Sequence, residues 1–184
     1  MCAQEAHGAL GLDAVVFVPV GVAPHRTIDA DPGAEVRLTM CEYATSADAR
    51  LGISRIEIDR EGPSYTLETL RELRRRSPDD ELFLILGGDQ AAALPDWHEP
   101  REVLALATVA VAERAEHRRD QIAERVASVG GEAVFFEMPR IDISSTLVRE
   151  RAAAGRPIRY LVPDKVANYI GGQSLYRASV EVAS

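Results

Sequence analysis

The chain is poor in cysteine: Cys2 and Cys41 are its only two in 184 residues. Two thiols that far apart make neither a disulfide framework nor a metal-ligand spacing, and they suit a reducing compartment. Excess positive charge is also lacking. Against 29 acidic residues stand 21 lysines and arginines, a formal charge of −8, which argues against a broad electrostatic grip on nucleic acid or an anionic membrane. No basic segment with an apolar core opens the chain. Its longest apolar run, Val103 to Ala112, is broken by Thr108 and is too short to span a bilayer. These absences predict a cytoplasmic protein with neither nucleic acid nor membrane among its partners, in which any bound anion is held by a local cluster. Repeats, low-complexity stretches and linkers are missing too, so a single domain is expected over residues 1–177, with a frayed tail at 178–184.

What is present reads as alternating helices and strands in a globular composition, 46% apolar and 27% charged. Cys2 to Leu10 has helical spacing and stops at Gly11. Ala14 to Val18 is a continuous β-branched and aromatic run, expected to be a strand buried on both faces and ended by Pro19. A helix is expected over Glu35 to Ala47, and a strand from Ile53, Ile56 and Ile58. Ser64 is expected to cap the next helix, which closes on Arg74, Arg75 and Arg76. Those arginines read as a nucleic-acid patch or a solvated helix end, and the second is the simpler reading. Leu82 to Leu86 is the clearest strand. Pro100 to Ala107 and His117 to Val129 read as helices, Val109 to Ala112 and Ala133 to Phe136 as strands. Thr146 to Ala154 with Gly155 behind it, and Asp164 to Ile170 in a short tail, complete the helices. Strands alternating with helices predict an α/β fold, a parallel sheet with helices on both faces and ligands beyond the carboxyl ends of its strands.

Several polar groups fall at those ends. Ser144 and Ser145 are favoured N-cap types, and a helix start leaves N–H groups unpaired with partial positive charge. Arg149 lies four residues beyond Ser145, on the same face. Hydroxyls, amides and a guanidinium together suit a phosphate, although the same pattern fits an ordinary capped helix. Gly87-Gly88-Asp89 ends the clearest strand, where glycine lets a ligand approach and a carboxylate can accept from sugar hydroxyls; a tight turn would use the same residues. Trp97, the only tryptophan, is either a core plug or a platform for a flat ring. His25 and Arg26 sit on the loop after the first strand, facing either solvent or a phosphate. Arg37 lies near a helix start, where a cation is unfavourable unless an anion is close.

Taken in order, Val16-Phe17-Val18-Pro19, Pro24-His25-Arg26, Pro63-Ser64-Tyr65-Thr66-Leu67, Gly87-Gly88-Asp89, Trp97, Ile143-Ser144-Ser145-Thr146-Leu147-Val148-Arg149, Tyr160-Leu161-Val162-Pro163, Tyr169-Ile170 and Leu175-Tyr176-Arg177 resemble bacterial nicotinate-nucleotide adenylyltransferases over nearly the whole chain. The resemblance implies a Rossmann-like nucleotidyltransferase fold. It implies transfer of the adenylyl group of ATP to nicotinate mononucleotide, giving deamido-NAD and pyrophosphate in NAD biosynthesis. ATP and nicotinate mononucleotide would be the partners, and self-association into a homo-oligomer stays open. By the same resemblance Ser144, Ser145 and Arg149 would stabilise the reacting phosphates, and Ile143, Thr146, Gly87 and Asp89 would complete the ATP site. Trp97 would stack on the pyridine ring and Thr66 would lie near the nicotinate carboxylate. His25, Arg26 and Arg37 would surround nucleotide phosphates, and Arg114 would belong to the nicotinate nucleotide site.

A phosphate nucleophile is already an anion, so neither a Ser-His-Asp group nor a cysteine is required. No protein metal ligands are expected, because Mg²⁺ can arrive on ATP. Thr66 and free amides would favour a carboxylate over an amide. The departures concern the beginning. Family members open with a strand and a loop of the type G-x-F-D-x-x-H-x-G-H, whereas Ala3-Gln4-Glu5-Ala6 matches the helix just after it. The first, central strand is therefore expected to be missing from the sheet, leaving apolar neighbours exposed, and the true start is expected upstream of Met1. The competing expectation is a catalytically inactive nucleotide-binding remnant; nicotinamide mononucleotide and phosphopantetheine are alternative acceptors. Arg114-Ala115-Glu116 also departs from the family pattern, which leaves the role of Arg114 open.

Overall fold

Five parallel strands carry the fold in the computed structural model, which describes residues 1–24, 31–113 and 118–177. They fall into two sheets. Strand β1 (Val15–Phe17) pairs with β2 (Leu51–Ile53), Val15 lying opposite Leu51. Strands β3 (Phe83–Gly87), β4 (Thr108–Glu113) and β5 (Ala133–Glu137) form the second sheet in that order. Helices α1 (Cys2–Leu10), α2 (Ala34–Thr45), α3 (Thr66–Arg76), α4 (Gly88–Ala92), α5 (Pro100–Leu106), α6 (Arg119–Ala127), α7 (Ser145–Ala153) and α8 (Asp164–Gly172) fill the connections. The α/β class and the parallel order agree with the sequence reading. The tail expected to fray, 178–184, lies outside the described residues.

Strand β4 explains why helices cover both faces of its sheet. Thr108, Val109 and Val111 favour extended backbone, and side chains alternate between faces along a strand. On one face Ala110 and Ala112 meet Ala6 of α1 and Phe136 of β5. These small side chains let the helix approach closely. On the other face Val109 and Val111 pack with Leu67 and Leu70 of α3, Val103 of α5, and Ile122 and Val126 of α6. Val109, Ala110 and Val111 are fully buried, as a strand paired on both edges should be. Helix α1 ends as expected, with Gly11 in the left-handed region at φ 64°.

Strand β1 departs from its expectation. Val15 is buried but Val16 is 49% exposed, so the strand is not covered on both faces. The reason is pairing: β1 has β2 along one edge, and among the described residues no ladder joins it to β3. Residues Phe83 to Leu86 of β3 likewise remain only partly buried. The expected break in the sheet is present at these two strands. A second correction concerns Ile56 and Ile58, which were expected in β2. The strand stops at Ile53, and Ile58 and Asp59 donate back to the Arg55 carbonyl in a turn. Ile56 is buried from that turn, so its burial reflects packing rather than strand alternation.

The third correction is at α3. Its N-cap position is Tyr65, not Ser64, and no side chain caps it. The Ser64 hydroxyl instead accepts from the N–H groups of Gly21 and Val22 at 3.2 and 3.1 Å, which compete for the oxygen a cap would use. The end of α3 is a solvated helix terminus, as the simpler reading had it: Arg75 and Arg76 both bind Glu72 one turn back. Among the described residues no helix is long and apolar enough to cross a membrane.

Candidate nucleotide site

The start of α7 is built as a capped helix with open amides. Ser144 is extended (φ −112°, ψ 155°), and its hydroxyl accepts from the Leu147 N–H at 3.1 Å. The helix begins at Ser145, one residue before the expected Thr146, and Gly155 follows it at φ 65°. Among the described residues the N–H groups of Ser145 and Thr146 have no acceptor. Ile143, Ser144, Ser145 and Thr146 are all exposed. Arg149 reaches back along the same face, Nη2 lying 3.3 Å from the Thr146 hydroxyl, and meets no carboxylate among the described residues. A free guanidinium beside unpaired amides at the positive end of a helix is an arrangement that holds anionic oxygen.

Gly87 ends β3 and leads directly into α4, with Asp89 in the first turn. A side chain added at Gly87 would meet nothing within 4 Å, so the space beyond the strand end is open. Gly-Gly-Asp is therefore a strand-to-helix junction rather than a tight turn. The Asp89 carboxylate is exposed and accepts from Arg118 Nη1 at 3.0 Å. Arg118 precedes α6, which follows β4, so this pair bridges the carboxyl ends of two adjacent strands. Residues 138–144 leave the carboxyl end of β5 and lead into the start of α7.

The second half of the site gathers at the start of α3. Thr66 is its first residue and is partly buried. Trp97 closes a single 3-10 turn (Leu94–Asp96), packs against the core around Leu67 and Val103, and keeps part of its ring exposed. It is at once plug and surface. The neighbours of these two residues touch: the Tyr65 and His98 rings stand 4.6 Å apart between centroids, tilted by 38°. Thr66 and Trp97 thus come from segments that are in contact.

Arg37 answers the question its position raised. The anion near the start of α2 is Asp31, which forms a short ion pair with it, and Nη2 also donates to the carbonyls of Val20 and Gly21 at 2.6 and 3.1 Å. The guanidinium is thereby engaged with the loop after β1 rather than left free. The Asp31 carboxyl is pulled below its ordinary value by Arg37 and the Gly33 N–H, against the opposing effect of burial. His25, Arg26 and Arg114 lie outside the described residues. Among the described residues no three His, Cys, Asp or Glu side chains converge as a metal site would require.

Two residues near the site were given no role from the sequence. Arg118 gave no signal beyond its place in an arginine-rich stretch. Tyr176, held in the left-handed region at φ 67°, lies half-buried with its hydroxyl 4.0 Å from Met40 Sδ. Burial pushes the phenol up from its ordinary pKa, while the charges of Arg149 and Arg37 pull it down and that of Asp31 pushes it up. The C-terminal hook therefore sits where the face of α7 and the start of α2 approach each other.

The family description "Cytidylyltransferase-like" matches residues 1–151 of the chain. Its relatives include proteins named "Probable nicotinate-nucleotide adenylyltransferase". That of Corynebacterium kroppenstedtii is 38% identical over 184 residues, covering 100% of this chain and 86% of the relative. That of Roseiflexus sp. is 41% identical over 177 residues, covering 95% and 88%. Among solved structures, the nicotinic acid mononucleotide adenylyltransferase of Plasmodium falciparum complexed with APC superposes with a TM-score of 0.74 over 96% of this chain and 88% of that one. At 14% identity this likeness is one of fold. The sequence relatives carry the assignment further, because they are 38% and 41% identical over 100% and 95% of this chain: this chain belongs to the nicotinate-nucleotide adenylyltransferase family.

Proposed function

We propose that the chain transfers the adenylyl group of ATP to nicotinate mononucleotide, yielding deamido-NAD and pyrophosphate in NAD biosynthesis. The observation that carries this reading is the mouth of α7, where amides of Ser145 and Thr146, unpaired among the described residues, adjoin a guanidinium that meets no carboxylate among them. The reacting phosphate oxygen of nicotinate mononucleotide attacks the α-phosphorus of ATP. One P–O bond forms, the bond to the β,γ-pyrophosphate breaks, and the leaving group carries away the electron pair. No proton has to be abstracted, so the protein's task is to align two anions and neutralise their charge.

In this scheme Arg149 and the amides of Ser145 and Thr146 hold the phosphates, with the Ser144 and Ser145 hydroxyls beside them. Gly87 gives the nucleotide room and Asp89 accepts from its ribose, Arg118 fixing the carboxylate. Ile143 borders the same nucleotide. Trp97 offers its exposed ring face to the pyridine and Thr66 donates to the carboxylate. His25, Arg26 and Arg114 supply positive charge to the nicotinate nucleotide's phosphate, and Arg37 contributes through the loop it holds. MgATP is the substrate form; its ion stays on the phosphates.

A second reading, nucleotide binding without turnover, rests on the same open amides of α7, which would hold ATP whether or not adenylyl transfer follows. Pyrophosphate release from ATP with nicotinate mononucleotide, nicotinamide mononucleotide and phosphopantetheine as acceptors decides among these. The proposal expects turnover with the first acceptor well above the other two. Tight ATP binding with no pyrophosphate from any acceptor would favour the second reading.

A further inference from the structure

The loop that follows β1 is gripped from both sides, by a guanidinium and by a hydroxyl. On one side the Arg37 guanidinium takes the carbonyls of Val20 and Gly21. On the other, the Ser64 hydroxyl accepts from the N–H groups of Gly21 and Val22, and the Ser64 N–H donates to the Val22 carbonyl at 2.8 Å. Behind Ser64 stands Glu57. Its carboxylate accepts from the Thr69 hydroxyl at 2.8 Å, and its backbone carbonyl lies against Gly21 beside the Ser64 hydroxyl. Arg60 donates to the same Thr69 oxygen at 3.2 Å. Ser64 and Thr69 are buried, at 8% and 5% exposure. There is no slack at the centre of this arrangement: a side chain on Gly21 would run into the Glu57 carbonyl oxygen.

We propose that Glu57, acting through Ser64, is a positioning residue that fixes the loop after β1 against the start of α3 and so sets the seat of the nicotinate nucleotide. The inference rests on the functional reading above. Thr66 is two residues beyond Ser64. The place of Thr66 relative to Gly21 and Val22 is therefore governed by the Ser64 clasp. A half-buried carboxylate is an expensive way to hold a loop, since desolvation opposes its charge; burial indeed pushes the Glu57 carboxyl above its ordinary value. Its worth lies in direction, because a hydroxyl facing the amides and a cation facing the carbonyls match the peptide dipoles on both sides of Gly21.

The test compares Glu57→Gln, Ser64→Ala and the double variant of the full chain with wild type. Binding of nicotinate mononucleotide and of ATP is measured separately by calorimetry, and thermal unfolding is recorded alongside. We expect each single variant to weaken nicotinate mononucleotide about tenfold with ATP affinity unchanged within about twofold. The double variant should lose less than the product of the two, because both substitutions release the same loop. A general loss of structure would move both ligands together. Wild-type affinity for nicotinate mononucleotide in all three folded variants, or equal weakening of both ligands, overturns the positioning role and leaves the function standing. Absence of nicotinate mononucleotide binding by wild type overturns both.

Discussion

Arg149→Ala removes a charge without breaking an ion pair, which makes its consequence simple to assign. Among the described residues the guanidinium hydrogen-bonds the Thr146 hydroxyl, at 3.3 Å, and no carboxylate. Truncation therefore leaves no carboxylate stranded, and the folded state should lose no more than about 0.5 kcal/mol, as for other surface changes. Its effect should fall on the phosphates. One charge-assisted contact to an anion is worth about 2–3 kcal/mol. That corresponds to a loss of about 30- to 160-fold in kcat/KM for ATP. Arg149→Lys keeps the charge but loses the planar fork, so it should recover only part of the loss. The assay is pyrophosphate release under ATP-limiting conditions, with a urea unfolding curve for each variant. Wild-type kcat/KM in Arg149→Ala, or a loss matched by unfolding, would refute the assignment.

Three further outcomes follow from the packing and the charges. Leu67→Ala, at a side chain 1% exposed between α3 and β4, should destabilise the chain by about 2–5 kcal/mol in urea titration; a change under about 1 kcal/mol would contradict the core assignment. Gly21→Ala should weaken nicotinate mononucleotide while sparing ATP, because the added methyl meets the Glu57 backbone, and unaltered affinity by calorimetry would count against the loop geometry. Glu72 is held down to about 2 by hydrogen bonds from Arg75 and then Arg76. With its folded pKa depressed, its contribution is complete above the ordinary glutamate value and is lost as pH falls through about 2. A carboxyl NMR titration should find that midpoint and see it rise in Arg75→Ala; an ordinary midpoint in wild type would sink the claim.

The elements were legible where a local rule had no competitor. Leu82 to Leu86 and Val109 to Ala112 are apolar runs of strand length, and both form strands of one parallel sheet. Gly11 and Gly155 ended their helices because both take the left-handed conformation the motif needs. The rule at Ser64 met a rival invisible from its own neighbourhood: two amides some forty positions earlier claim its hydroxyl. Ile56 and Ile58 followed strand spacing, but a turn buries Ile56 equally well. In the site, the mouth of α7 could be read because cap, amides and arginine are consecutive. The Arg118–Asp89 pair, the Arg37 carbonyl contacts and the place of Tyr176 join residues far apart in sequence. No periodicity announces such contacts.

The central claim is that the open amides of α7 receive the phosphates of ATP. It is tested most directly by following the ¹H–¹⁵N resonances of Ser145 and Thr146 during titration with a non-hydrolysable ATP analogue. Both should shift in a saturable manner with the same dissociation constant that calorimetry returns, and the shifts should shrink in Arg149→Ala. Saturation of the analogue with the Ser145 and Thr146 amides unmoved would contradict it.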